Sequence, residues 1–522
     1  MAAASVLRAV PGALARHAVA VAFGAGTVLS LAFAPWNLWP LAPACLALLW
    51  WLWRGCRPGR AAAIGGAFGA GLYLAGTYWL YTSIHVFGKA PLALAVFLML
   101  GLVAIMASYT ALLGWLVARL VDLTRPTEAV LGLAVLPGGW VLMEWLRGWL
   151  LSGFPWLAVG YSAIDTPLAH YAPLVGVYGV SLVLAVSAGS LWVLVTAAGQ
   201  RPRLLALLAI GVPWLGGAGL GRIEWTHPSA PPLAVALVQP SIPQDLKWQD
   251  DNQGPTLELY RRLTASAWGA PLVVWPEASL PLLYHEALPF LAEIYREAER
   301  QHASLLLGLV RYDFDTAAYR NGLVALAGGE QWYYKRRLVP FGEFFPVPAF
   351  VREWMRLKSL AYVDLQPGPA DQPPLAAAGQ QLAATICYED AYGAEQLGGL
   401  ATATLLVNVS NDAWFGDSTA PHQHLQIARM RALEAGRWMI RATNNGISAL
   451  IGPDGEVRAR SRQFVPEVLK GEVVPRLGLT PYARLGNVPV LVACLVLIGL
   501  VALAWFRSRY DASAAEERPH GH

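Results

Sequence analysis

The sequence predicts a multi-pass α-helical membrane domain joined to an α/β domain. Three observations carry this: a composition too apolar for water, a series of long apolar runs, and a more polar stretch of short alternating strands and helices. Of 522 residues, 56% are hydrophobic and 14% charged, with a mean hydropathy of +0.43. Soluble domains run at about 45–50% apolar and about 25% charged, so much of this chain must have lipid as its solvent. The 22 tryptophans suit membrane–water interfaces, with core filling as the alternative.

Crossing a bilayer takes about 20 mostly apolar residues whose backbone satisfies its own hydrogen bonds. Such runs lie at 17–34, 38–53, 62–81, 91–118, 128–146, 170–198 and 203–220, and again at 487–506. Arg8 and Arg16 before the first run give it the look of a signal peptide, but further runs follow at once, so a retained helix is expected. Arg54, Arg57, Arg60, Arg119, Arg125, Arg201, Arg203, Arg507 and Arg509 then fall with Arg8 and Arg16 on one side of an eight-span topology. The positive-inside rule makes that side cytoplasmic and puts 222–486 on the outer side. The expected organisation is about seven spans in 1–221, the α/β domain in 222–486, a last span in 487–507 and a disordered cytoplasmic tail in 508–522.

Within 222–486, short runs rich in Val, Ile and Leu read as strands: Leu233–Val238, Leu272–Trp275, Ser304–Leu309, Leu323–Leu326, Leu382–Ile386, Thr404–Val409 and Ser448–Ile451. Helical stretches at 254–268, 288–301 and 421–436 lie between them, which is an α/β pattern. The net charge of +4 is too small to suggest nucleic acid as a partner, and the longest basic run, Lys335-Arg336-Arg337, is too short to form a polyanion-binding patch by itself, so none is expected. Of the four cysteines, Cys45, Cys56 and Cys494 lie in or beside apolar segments, so no disulfide framework is expected. Cys387 alone lies in the polar part.

Three strand ends each deliver one reactive residue. The run Leu272–Trp275 stops at Pro276 and presents Glu277. Trp332-Tyr333-Tyr334 leads to Lys335, and Ala384-Thr385-Ile386 to Cys387. Ends along one sheet edge lie side by side, so these side chains can converge. A thiol, a base to deprotonate it and a cation to hold an oxyanion suit acyl transfer. Each residue also has a structural reading: Cys387 as a small buried hydrophobe, Glu277 as a helix N-terminal charge, Lys335 as part of a solvated basic cluster.

Trp-Pro-Glu at 275–277, the Tyr-Lys-Arg-Arg-Leu-Val-Pro-Phe-Gly-Glu stretch at 334–343 and Cys-Tyr-Glu at 387–389 resemble the nitrilase (carbon–nitrogen hydrolase) superfamily. Asn408–Gly416 and Arg437–Gly446 are similar to its apolipoprotein N-acyltransferase branch. So are Phe-Ala-Pro-Trp at 33–36, Ser-Ile-His-Val-Phe-Gly at 83–88, and Glu144–Gly148 through Phe154-Pro155-Trp156. The resemblance implies a nitrilase-like αββα sandwich with a Glu277–Lys335–Cys387 triad in a multi-pass protein of the bacterial inner membrane, its catalytic domain periplasmic. It implies an acyl chain passing from a phospholipid, phosphatidylethanolamine by expectation, to Cys387. The chain then passes to the α-amine of a diacylglyceryl-cysteine on an apolipoprotein. Lys335 and the Tyr388 backbone N–H would hold the oxyanion, and Glu343 and Glu389 would position groups or handle protons, with salt-bridge roles as the alternative. Neither metal nor cofactor is expected.

Both substrates carry acyl chains, and each buried methylene is worth about 0.8 kcal/mol, so the site has to come to the lipid. Phe341, Phe344, Phe345, Trp354 and Trp414 are candidates to line the lipid's path, with core packing as the alternative and the preferred one for Trp414. Glu144 and Arg147, three apart on a membrane helix, read first as a structural pair. His422-x-His424 reads as no metal site. Two rival functions stay open: an anchored amidase or nitrilase with a small soluble substrate, and a transporter or scaffold that binds lipoproteins without chemistry.

Overall fold

The computed structural model describes residues 16–344, 350 and 364–516. Arg8, Phe345, Trp354 and the tail beyond 516 lie outside the described residues. Two compact units emerge. One comprises the chain up to Tyr78, Val96–Ile223 and the chain from Leu485 onward; the other comprises Trp79–Ala95 and Glu224–Arg484.

The first unit is helical. Among the described residues, four helices are long and apolar enough to cross a membrane: Leu92–Thr124, Glu128–Arg147, Pro167–Thr196 and Gln200–Leu220. Ala18–Ala32 and Leu41–Leu52 are apolar but shorter, and Pro58–Gly76 is a glycine-rich helix. Small residues let helices approach closely in lipid. A Cβ at Gly26 would lie 1.9 Å from the Phe68 carbonyl oxygen, and one at Gly71 would lie 2.1 Å from that of Phe23. The last helix runs on to Glu516, past the tail start at Ser508 where disorder was expected. Ala512, Ala514, Ala515 and Glu516 are good helix formers, so the helix continues after the apolar run ends.

The buried charges of this unit have backbone partners. Glu144 accepts from Trp140 Nε1 and from the Val159 N–H, each at 2.9 Å. Arg147 donates to the carbonyls of Phe154 and Trp156, each at 2.7 Å. The Glu144–Gly148 and Phe154–Trp156 motifs are therefore two halves of one packing arrangement in which the side chains cap the 154–159 segment.

The second unit is an αββα sandwich. Its strands are β1 (Leu233–Gln239), β2 (Leu272–Val274), β3 (Ser304–Asp313), β4 (Ala318–Leu326), β5 (Glu330–Tyr334), β6 (Leu375–Ala377), β7 (Gln380–Ile386), β8 (Leu405–Ser410), β9 (Met439–Thr443), β10 (Ala449–Ile451), β11 (Val457–Arg460) and β12 (Glu467–Val473). They form two six-stranded sheets, ordered β12-β1-β2-β3-β4-β5 and β11-β10-β9-β8-β7-β6, and His227–Pro228 pairs separately with Arg476–Leu477. Side chains alternate across a strand. Val235 and Leu237 of β1 join Val274 and Leu306 in a core shared with Ile386, Val407 and Ile440 of the other sheet. Ala236 and Val238 face helices Gln253–Ala267 and Tyr284–Arg300 through Tyr260, Phe290 and Ile294. The second sheet's outer face is covered by helix Ala420–Ala435 through Leu425, Ala428 and Ala432.

Trp79–Ala95 belongs to this second unit although it lies between two helices of the first. The Trp79 ring packs edge-on to Phe415 at 4.9 Å, and Ser83 Oγ donates to the Trp414 carbonyl at 2.8 Å. The Ser83–Gly88 motif is thus part of a strap over the turn Asp412–Phe415.

Candidate active site

Glu277 is the third residue after β2, in a segment that crosses close over β3. A Cβ at Gly308 of β3 would lie 2.2 Å from the Pro276 carbonyl oxygen and 2.7 Å from Glu277 Cα, so only glycine leaves room for this crossing. Lys335 leaves β5, its N–H bonded to the Asn321 carbonyl at 2.9 Å. Cys387 directly follows β7 and opens a short helical turn, Cys387–Ala391. Its φ of 55° is the left-handed conformation that non-glycine residues adopt only under constraint.

The three side chains come together, but not along one sheet edge as expected. β2 and β5 are separated by β3 and β4, and Cys387 comes from the opposite sheet. Convergence is across the sandwich. Lys335, 1% exposed, donates to Glu277 Oε1 at 3.0 Å and to Glu343 Oε1 at 2.8 Å. Asn321 Nδ2 bridges the same two oxygens at 2.8 and 3.2 Å. Glu277 Oε2 accepts the Asn411 N–H at 2.9 Å, and Glu343 Oε2 that of Val339 at 2.8 Å.

Burial works against the charge on Lys335, but Glu277 and then Glu343 outweigh it and hold the ammonium well above its usual range. Burial, seconded by Glu277, pushes the Cys387 thiol up, while Lys335 draws it down. At rest the nucleophile is therefore a protonated thiol, and it needs a base at the moment of attack.

Glu389 is a buried brace. Its Oε1 accepts the N–H groups of Arg336 and Arg337 at 2.6 and 3.1 Å; its Oε2 accepts Tyr333 Oη–H at 2.9 Å and the Ile386 N–H at 2.8 Å. It fastens the segments that carry Lys335 and Cys387 to each other. The basic run is absorbed here too: Arg336 donates to the Ala370 and Glu395 carbonyls, and Arg337 pairs with Glu395. Tyr388 Oη accepts from Tyr392 Oη–H at 2.6 Å, and burial lifts the Tyr388 phenol to about 12.

Phe341 is 45% exposed, with a φ of 64°. Trp414 is 37% exposed, against the preference for core packing. It sits on the short turn after β8, where Asp412 and Ala413 take the buried positions. His424 is fully engaged by carboxylates, its Nδ1 3.0 Å from Asp412 Oδ1 and its Nε2 3.0 Å from Asp390 Oδ1. Asn321, Asp390, Asp412, His424 and Arg441 were missed as site residues from the sequence. Asp412 and Arg441 carried a signal, since they lie inside the Asn408–Gly416 and Arg437–Gly446 motifs.

The αββα architecture is that of the carbon–nitrogen hydrolases, and the family model described as Carbon-nitrogen hydrolase matches residues 234–482. A second model, Apolipoprotein N-acyltransferase N-terminal domain, matches residues 25–190. The relative from Methylococcus capsulatus, named Apolipoprotein N-acyltransferase, is 41% identical over 505 residues, covering 96% of this chain and 98% of that one. Those from Chromobacterium violaceum and Azotobacter vinelandii, with the same name, are 43% and 44% identical, covering 93% and 92% of this chain and 93% and 94% of theirs. The chain belongs to the apolipoprotein N-acyltransferase family, and it is a membrane enzyme.

Proposed function

We propose that this chain moves an acyl chain from a phospholipid, phosphatidylethanolamine in particular, to the N-terminal α-amine of diacylglyceryl-cysteine on an apolipoprotein, through a thioester on Cys387. The observation that carries the reading is a buried Glu277–Lys335 pair acting on the Cys387 thiol, in a chain that matches its relatives over nearly all of its length.

Glu277 takes the thiol proton as Sγ attacks the ester carbonyl carbon, so the site never holds a thiolate and a free carboxylate together. The carbonyl oxygen becomes an oxyanion. An ammonium has three donors; Glu277 and Glu343 engage two on Lys335, and the third is for the oxyanion together with the Tyr388 N–H. Collapse breaks the ester C–O bond, the lysophospholipid oxygen takes the proton back from Glu277, and the thioester remains. The acceptor amine then attacks the thioester, its proton passes to Glu277, and Sγ leaves and is reprotonated as the amide forms. Glu343 holds Lys335, Glu389 braces the loops, and exposed Phe341 and Trp414 contact acyl chains. Thioester to amide is downhill, so the residues need no energy source.

The basic loops support eight spans in the bacterial inner membrane with the α/β domain on the periplasmic side. Purified protein is incubated with acyl-labelled phosphatidylethanolamine and a diacylated lipopeptide. Label should appear in an amide on the lipopeptide and be lost in Cys387→Ala. Hydrolysis of a small amide with no transfer to the lipopeptide would favour the amidase reading instead.

A further inference from the structure

Behind Cys387 lies a buried polar cluster that the reaction steps do not use. His424 sits on helix Ala420–Ala435, 1% exposed. Three charged groups face it: Asp390 from the turn after β7, Asp412 from the turn after β8, and Arg441 from β9. Each imidazole nitrogen lies 3.0 Å from a carboxylate oxygen. A carboxylate only accepts, so both nitrogens must donate, and the ring is an imidazolium. Arg441 donates to Asp390 Oδ2 at 3.3 Å and to Asp412 Oδ2 at 3.1 Å. Two cations balance two anions within a set of residues no more than 1% exposed.

This cluster touches the nucleophile through its backbone. His424 Nε2 also lies 3.2 Å from the Cys387 carbonyl oxygen, and Asn408 Nδ2 donates to the same oxygen at 3.2 Å. Asn408 is itself held by Arg441. In a planar trans peptide the carbonyl and the next N–H point in opposite directions. Two buried donors on the Cys387 carbonyl therefore fix the direction of the Tyr388 N–H, at a residue whose φ of 55° would otherwise favour relaxation.

We propose that His424 is a positioning residue for acyl transfer: as an imidazolium clamped between Asp390 and Asp412, it holds the Cys387–Tyr388 peptide plane so that the Tyr388 N–H meets the oxyanion. The proposal rests on the acyl-transfer reading of Cys387. Burial and then Arg441 oppose the imidazolium, but Asp390 and Asp412 prevail and raise it to about 9. A neutral ring has one donor for two carboxylates, so the clamp opens as pH rises through about 9.

The test compares two reactions of the same sulfur in the full-length protein. Acylation by a p-nitrophenyl ester passes through an oxyanion; alkylation by iodoacetamide does not. The ester forms the same thioester whether or not a phospholipid is the natural donor, so failure of the phospholipid reading shows separately, as wild-type acylation by the ester but not by phospholipid. In His424→Gln, acylation should fall at least ~30-fold, part of the ~100- to 1,000-fold for a lost oxyanion donor, while alkylation stays within about threefold. In the wild type, the ratio of acylation to alkylation should fall as pH rises past about 9, and this fall should be absent from His424→Gln. Equal losses in both reactions, or no loss in either, would overturn the proposal. If His424→Gln does not fold, a wild-type ratio that stays level to pH 10 overturns it and a falling ratio upholds it.

Discussion

Lys335 has two carboxylates on its ammonium and almost no solvent, so its charge cannot be removed without leaving Glu277 and Glu343 facing each other around Asn321. Breaking a buried pair of this kind costs about 3–5 kcal/mol. Lys335→Met should lower the unfolding free energy of the α/β domain by that order and slow acylation at least ~100-fold. Denaturation followed together with thioester formation checks both; a stable variant that retains acylation would remove Lys335 from the site. The His424 cluster gives a pH signature in stability. Its raised imidazolium stabilises fully below the ordinary histidine value of about 6.5, and that contribution is lost as pH rises through about 9. Melting temperature should therefore fall more steeply between these limits in the wild type than in His424→Gln. Glu277, Lys335 and Cys387 could be read from the sequence because each ends an apolar run, which marks it against its surroundings. Asn321 and Asp390 sit among other polar or mixed residues, and no local pattern distinguishes a buried polar side chain from a solvated one.

At the scale of elements, the site depends on where chain segments cross. Gly308 is the clearest case, because the segment carrying Glu277 passes within van der Waals distance of β3. Gly308→Ala should displace that segment, cost about 1–3 kcal/mol as overpacking does, and slow acylation about tenfold or more; thermal melting and ester turnover would show it, and unchanged values would mean that the crossing has slack. Seven of the strands were legible as short runs of Val, Ile and Leu, and the three soluble helices fell within a few residues of their expected limits. β9 was not legible as a strand. It reads Met-Ile-Arg-Ala-Thr, and a charged residue at its centre argues against a buried strand until Asp390, Asp412 and Asn408 are seen to surround Arg441. β6, β11 and β12 were missed because they are short or interrupted by charged residues. The convergence of the triad across two sheets was hidden for a different reason: strand order is set by long-range pairing, and no local run of sequence records it.

At the scale of the whole molecule, composition declared a membrane protein at once, since 14% charged residues cannot cover a soluble surface of this size. All eight apolar runs correspond to helices in the structure, but the sequence did not show that Trp79–Ala95 leaves the helical unit and straps the Asp412–Phe415 turn. The proposed orientation is open to labelling. A cysteine in place of exposed Asp454 should react with an impermeant maleimide in spheroplasts, and one in place of Gly199 should react only after lysis; the reverse pattern would invert the topology. Chemically, the central claim is that Cys387 carries the acyl chain between two lipids. Full-length protein is incubated with phospholipid alone, digested, and weighed by mass spectrometry. The peptide containing Cys387 should carry one acyl group that disappears when a diacylated lipopeptide is added; an acylated lipopeptide formed without any acyl mass ever appearing on that peptide would contradict the account.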